Sequence, residues 1–238
     1  MSAPNPLRYP ASASQDYIKA RDELLKAEFD LRNHIEKVAE LRRSLPPGGI
    51  MKEYTFVEVP GDKPYNSRDF KKTQLSDLVA DGRTGVVYHM MFTKKDQEPC
   101  VMCAAFVDGL NGVGQHMQQR FNFVVISKAP PEQLHAYAVK RGWNNLRFLS
   151  SYGTTFNGDV HMEEPEWAEE ASQNPGVSVY RKEDQCVRHL YTVSSGFSDG
   201  SERGLDLLSP LWNMLDLIPE GRGEKWYPDH EYLQMAAV

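Results

Sequence analysis

Cysteine is scarce: three in 238 residues are too few for a disulfide scaffold, which excludes the small cross-linked extracellular classes. Long apolar runs are missing as well. None approaches the roughly 18 residues a membrane helix needs, and the opening Met1 to Pro10 lacks the apolar core of a secretory leader. Nor is there a surplus of positive charge. Lys and Arg number 27 against 33 Asp and Glu, a formal net charge of −6, whereas phosphate recognition wants clustered cations, so no nucleic-acid partner is expected. What remains is ordinary globular usage, 40% hydrophobic and 11% aromatic. The length suits one domain plus an appendage, or two small domains, and can bury a real core. These absences lead to the expectation of a soluble, cytoplasmic protein with no membrane partner.

Residues 1–12 carry three prolines and no periodicity, and read as a loose arm. From about Ser14 to Leu45 the pattern is helical, with Tyr17, Leu24, Leu31, Val38 and Leu45 spaced seven apart and Ala20, Ala27 and Leu41 in a second row. Asp22/Lys26 and Glu28/Arg32 place opposite charges four apart, acid first. Pro46-Pro47-Gly48-Gly49 then stops the helix. Some 30 residues make a helix about 45 Å long, longer than the body of a small domain. It either folds back along its own domain or pairs two chains as a homodimer. The division expected is 1–49 for arm and helix and 50–238 for the remaining domain.

Strands are expected at 54–59, 85–92, 122–127 and 146–150, and one helical turn at 74–79. Helices are expected from Cys100 to about Arg120, from Pro130-Pro131 through Arg141, and from about Leu205 to Leu217. Val177 to Arg181 and Val187 to Val193 flank the polar Lys182-Glu-Asp-Gln185 and read as a hairpin. The order is that of an α/β domain with a mixed sheet flanked by helices.

The most informative feature is Pro99-Cys100-Val101-Met102-Cys103, which follows a buried strand and opens a helix. Two cysteines three apart on a first helical turn bring their sulfurs within reach of a disulfide. Cys100 would lie at the helix N-terminus, where free N–H groups favour a thiolate. About 2 kcal/mol from the dipole would lower it from about 8.5 to about 7. Cys103, one turn further in, is the natural resolving thiol, and Lys94 and Lys95 would add positive potential or form a solvated pair. Half of a zinc site looks the same, but no second Cys-x-x-Cys follows, because Cys186 stands alone in its hairpin turn.

From roughly Leu24 to Tyr232 the sequence resembles a widespread microbial family of thioredoxin-like proteins of largely unassigned function, often labelled predicted dithiol–disulfide oxidoreductases. The matching segments are Val87-Tyr-His-Met-Met-Phe92, Cys100-x-x-Cys103 with Asp108-Gly-Leu-Asn-Gly112, Gly176-Val-Ser-Val-Tyr180, and Leu215-Asp-Leu-Ile-Pro-Glu-Gly-Arg-Gly223. The resemblance implies a thioredoxin-like sheet and thiol–disulfide exchange, with Cys100 attacking and Cys103 resolving. The substrate is open between a disulfide-containing protein and a small molecule. Thioredoxins carry a buried carboxylate before their pair as the second thiol's acid/base. By register His89 takes that place here, either as a proton shuttle or as a core histidine bonded to a backbone carbonyl.

The pair encloses Val101-Met102 where relatives commonly have Pro-Ser and thioredoxins Gly-Pro. Gln97 stands where peroxidases of this fold usually have Thr, which disfavours peroxidase activity. Pro175 lies near the place of the thioredoxin cis-proline but is left unassigned. No cofactor is assigned. The runner-up is a metal-dependent oxidoreductase in which Cys100, Cys103, His89 and His189 converge on zinc, copper or iron. A third reading is a non-enzymatic partner-binding module on the same scaffold. Asp108 is expected to cap or turn the chain before Gly109, Glu163 to Glu170 to form a solvated acidic loop, and Gly109-x-x-Gly112-x-Gly114 to bind no nucleotide.

Overall fold

The computed structural model describes residues 9–60, 70–164 and 173–232. The chain divides into two compact units, Met1–Pro46 and Pro47–Val238.

The first unit is essentially one helix, α1 (Gln15–Arg43), capped by the Ser14 side chain accepting the Tyr17 N–H, with Asp16 in the first turn and Arg42 and Arg43 in the last. None of its residues is buried, and Tyr17, Leu24 and Leu31 of the seven-residue row are exposed. The expected ion pairs do not form. Glu28 instead meets Arg21 at 2.9 Å, and Arg32 bonds Asn33; exposed side chains of this length choose among partners worth only tenths of a kcal/mol, about 0.5 at most for a helical pair. Residues 1–8 of the arm lie outside the described residues.

The second unit is built on a seven-stranded sheet in the order β2-β1-β5-β4-β3-β6-β7. Its strands are β1 (Thr55–Val59), β2 (Lys71–Gln74), β3 (Gly85–Thr93), β4 (Asn122–Lys128), β5 (Arg147–Ser150), β6 (Gly176–Glu183) and β7 (Cys186–Ser194). Helix α2 (Val101–Gln118) links β3 to β4, and α3 (Pro131–Arg141) links β4 to β5. β3, β4 and β5 run parallel, whereas β6 is antiparallel to β3 and forms a hairpin with β7. A β-α-β unit whose first strand is flanked on its other side by an antiparallel hairpin is thioredoxin-like connectivity. The hairpin turn is Asp184-Gln185, both with positive φ (48° and 70°), as a two-residue primed turn requires.

Alternation along β3 sends neighbouring side chains to two cores. Tyr88, Met90 and Phe92 pack with Cys103, Phe106 and Val107 of α2 and with Leu134 of α3. Val87 faces the other way, toward Phe56, Leu75, Leu78 and Phe156.

Two short elements were not expected: β2, an edge strand of polar residues without apolar alternation, and α4 (Phe156–Asp159). The helix expected over 205–217 is instead a 3-10 turn, Asp206–Leu208, followed by α5 (Pro210–Leu215). Pro210 has no N–H to continue the first piece and is well placed to start the second. α5 packs on α2 at Gly109, where an added Cβ would come within 3.0 Å of Pro210 Cγ. Close approach of two helices, not a nucleotide, accounts for that glycine.

Candidate functional site

Cys100 is the N-cap of α2, and the segment before it is clipped to β3, its N–H reaching the Met91 carbonyl at 3.0 Å. The same residue of β3 holds the second thiol, because the Met91 N–H donates to Cys103 Sγ at 3.4 Å. One strand residue thus fixes both cysteines. The two are free thiols, Cys100 partly exposed and Cys103 1% exposed.

The shared proton sets their difference. Cys100 is brought down to about 6, chiefly because the Cys103 thiol donates to it; burial opposes this, and the N–H groups of Cys103 and Met102 assist. Cys103 is pushed well up by serving as that donor and by burial. His230 acts on Cys100 in the same direction, last among the leading influences, whereas Lys94 and Lys95 are not among them.

Beneath Cys103 stands Tyr88, fully buried, its phenol held well above its ordinary value by burial and then by the adjacent Cys103. Its hydroxyl bonds Cys103 and favours that thiolate. Tyr88 is the residue sequence reasoning missed. β3 is apolar on both faces, so nothing in its composition shows which parity points at α2. His89, one residue on, necessarily points away. It stacks on Phe156 and bonds Ser178 Oγ through Nε2 at 2.9 Å, in the core on the other side of the sheet. The expectation that His89 serves Cys103 is corrected accordingly, and so is its carbonyl-bonded alternative.

His189 lies on that far face as well. Its Nε2 meets Thr192 Oγ1 at 2.6 Å, and Thr192 bonds Ser178 at 2.7 Å, which completes a chain back to His89. The four-ligand set of Cys100, Cys103, His89 and His189 therefore does not converge, because the sheet separates thiols from imidazoles. Among the described residues no group of three or more His, Cys, Asp or Glu is placed to hold a metal ion.

Asp108 has a role other than the turn expected. It sits inside α2 and binds the Arg141 guanidinium, Trp143 Nε1 at 2.7 Å and the Tyr232 hydroxyl at 3.0 Å. With His230 bonded to the Tyr137 hydroxyl at 2.9 Å, these contacts fasten the C-terminal segment beside the thiols. Of the acidic loop, Glu163 pairs with Lys128, while Glu166, Glu169 and Glu170 lie outside the described residues. Pro175, in a trans peptide bond, lies in the wall of the cavity onto which Cys100 opens.

That cavity has a volume of about 440 Å³. Tyr88, Met91 and Phe106 line one side; residues between Ser195 and Tyr227 line the other. Among the described residues no helix is long and apolar enough to cross a membrane.

Solved structures similar to the chain include a PrxQ mutant of Xylella fastidiosa, at 10% identity and TM-score 0.45 over 71% of this chain and 97% of that one. The peroxidoxin BcpB of Mycobacterium tuberculosis gives 14%, 0.47, 69% and 94%, and AhpC of Enterococcus faecalis gives 10%, 0.47, 76% and 98%. The fold is read from the strand order and connectivity, and no activity is carried over from these proteins. No curated protein matches. The matching family model spans residues 7–233, nearly the whole chain, and the chain belongs to that family, described as "Bacterial protein of unknown function (DUF899)".

Proposed function

We propose that the protein is a thiol–disulfide oxidoreductase. The observation that carries this reading is the divided thiol pair: an accessible Cys100 at about 6 over a buried Cys103 held protonated. At pH 7 a thiol of that pKa is about nine-tenths thiolate, against a few per cent for a free cysteine. Cys100 attacks a substrate disulfide, forming a mixed disulfide and releasing one thiolate. Cys103 then attacks Cys100 Sγ, releases the second and closes the internal disulfide. The pair loses two electrons, and the released thiolates take one proton from Cys103 and one from solvent. Tyr88, with the Met91 amide, stabilises the Cys103 thiolate at the moment it forms. An external dithiol returns the pair to its reduced state.

Trapping tests the reading. Full-length Cys103→Ser, treated with hydroxyethyl disulfide, should keep a stable adduct on Cys100 by mass spectrometry. Wild type should pass on to the internal disulfide, and Cys100→Ser should stay unmodified at Cys103. A partner-binding module with idle thiols would show no difference between the variants.

A second copy of the chain is the partner proposed for α1, whose apolar row at seven-residue spacing is exposed at Tyr17, Leu24 and Leu31.

A further inference from the structure

We infer that the cavity beside Cys100 selects a small organic disulfide without net negative charge, and that folded-protein disulfides are not its substrates. This rests on the exchange activity proposed above and names its substrate class.

Size comes first. Pockets that enclose small ligands run from about 300 to 1,000 Å³, and this one holds about 440 Å³. A folded partner must instead lay down roughly 800 Å² of its own surface around the reacting bond. The ground on which it would rest is taken. The segment after β7 stands over the first turn of α2, with Leu205, Leu211, Trp212 and Tyr227 in the cavity wall. Its helix α5 packs on α2 at Gly109, and its end is fastened by contacts from Asp108 to Tyr232 and from Tyr137 to His230. A wall anchored at several points is not one a docking protein sweeps aside.

Charge comes second. Two guanidinium groups reach the cavity, and both are spent within the wall. Arg222 grips Asp216 and Asp206 at 2.6 Å each and stacks over Trp212, with its carbon 5.1 Å from the ring centroid. Arg203 meets Asp206 at 2.7 Å and Asp216 at 3.6 Å. Two cations against two carboxylates leave no positive charge for a substrate anion. Glu202, also in the lining, forms no ion pair among the described residues. Glu202, Tyr227 and Cys100 line the same cavity, and both Glu202 and Cys100 raise the Tyr227 phenol. With the Cys100 thiolate formed, the unbalanced charge in the cavity is negative. An anionic disulfide is repelled there, and a cationic one is drawn in.

The experiment is single-turnover oxidation of the pre-reduced full chain by three disulfides: cystamine (cationic), dithiodipropionate (anionic, similar in size) and insulin. Each rate is divided by that substrate's rate with a simple reference thiol, which removes intrinsic reactivity. Cystamine is expected to exceed dithiodipropionate by about tenfold at low salt, the gap closing as ionic strength rises, and insulin should be slowest. Glu202→Gln should shrink the gap to about threefold, slowing oxidation by cystamine and speeding that by dithiodipropionate, since one screened charge of several is removed. Insulin reacting as fast as cystamine would overturn the size argument, and equal or reversed rates for the two small disulfides would overturn the charge argument. Either result leaves the exchange activity standing. Failure of all three disulfides to oxidise the pair would remove the activity itself, and the inference with it.

Discussion

Cys100 accepts hydrogen bonds from the Cys103 thiol and from the amides of Cys103 and Met102, while Cys103 lies beneath it against Tyr88. Each contact has a measurable consequence. Alkylation of Cys100 by iodoacetamide should follow a titration centred near pH 6, the thiolate forming above it. In Cys103→Ala, which removes the leading donor, the centre should move upward by a unit or more, a hydrogen bond to a charged group being worth about 1.5–3 kcal/mol. Tyr88→Phe keeps the ring and removes only the hydroxyl. Cys100 should still take up a disulfide, but the mixed disulfide should outlive that of wild type about tenfold, because Cys103 loses a stabilising donor as it ionises. His89→Phe leaves that lifetime unchanged if the sheet separates the ring from the thiols as described.

At the scale of elements, His89 carries a different signature. Burial, with a smaller contribution from His189, takes its ring from the usual 6.5 to about 3. Between those values the unfolded chain binds a proton that the folded sheet refuses, so stability is lost as pH falls, by about 1.4 kcal/mol per unit. The denaturation midpoint of wild type should therefore drop between pH 6.5 and 4, and that of His89→Gln should drop less steeply. The same strand shows what was legible in the sequence and what was not. The run Gly85–Phe92 announced a buried strand, and Cys100-x-x-Cys103 announced a helix start, because composition and spacing are written in consecutive residues. Which of Tyr88 and His89 faces the thiols is a matter of parity, and a strand buried on both faces hides it. The break at Pro210 was written in the residue itself. The polar edge strand β2 carried no apolar periodic signal, since it is held to β1 by backbone pairing and by the Glu58 carboxylate, which meets Lys71 and Thr73.

On the scale of the whole molecule, α1 bears the exposed leucines Leu24 and Leu31. If two copies cover them, light scattering should give the mass of a dimer for the full chain and of a monomer for Leu24→Lys/Leu31→Lys, with thiol reactivity unaltered. Fold and site meet at Met91, the strand residue that clips both cysteines. The measurement that reaches the central claim most directly is a redox titration of the full chain, counting free thiols by mass spectrometry across glutathione or dithiothreitol potentials. A reversible two-electron transition that closes Cys100 to Cys103, and that is absent from both Cys100→Ser and Cys103→Ser, is expected. Thiols that stay reduced over the whole range, or a transition that survives Cys100→Ser, would contradict the assignment of this pair as the reacting group.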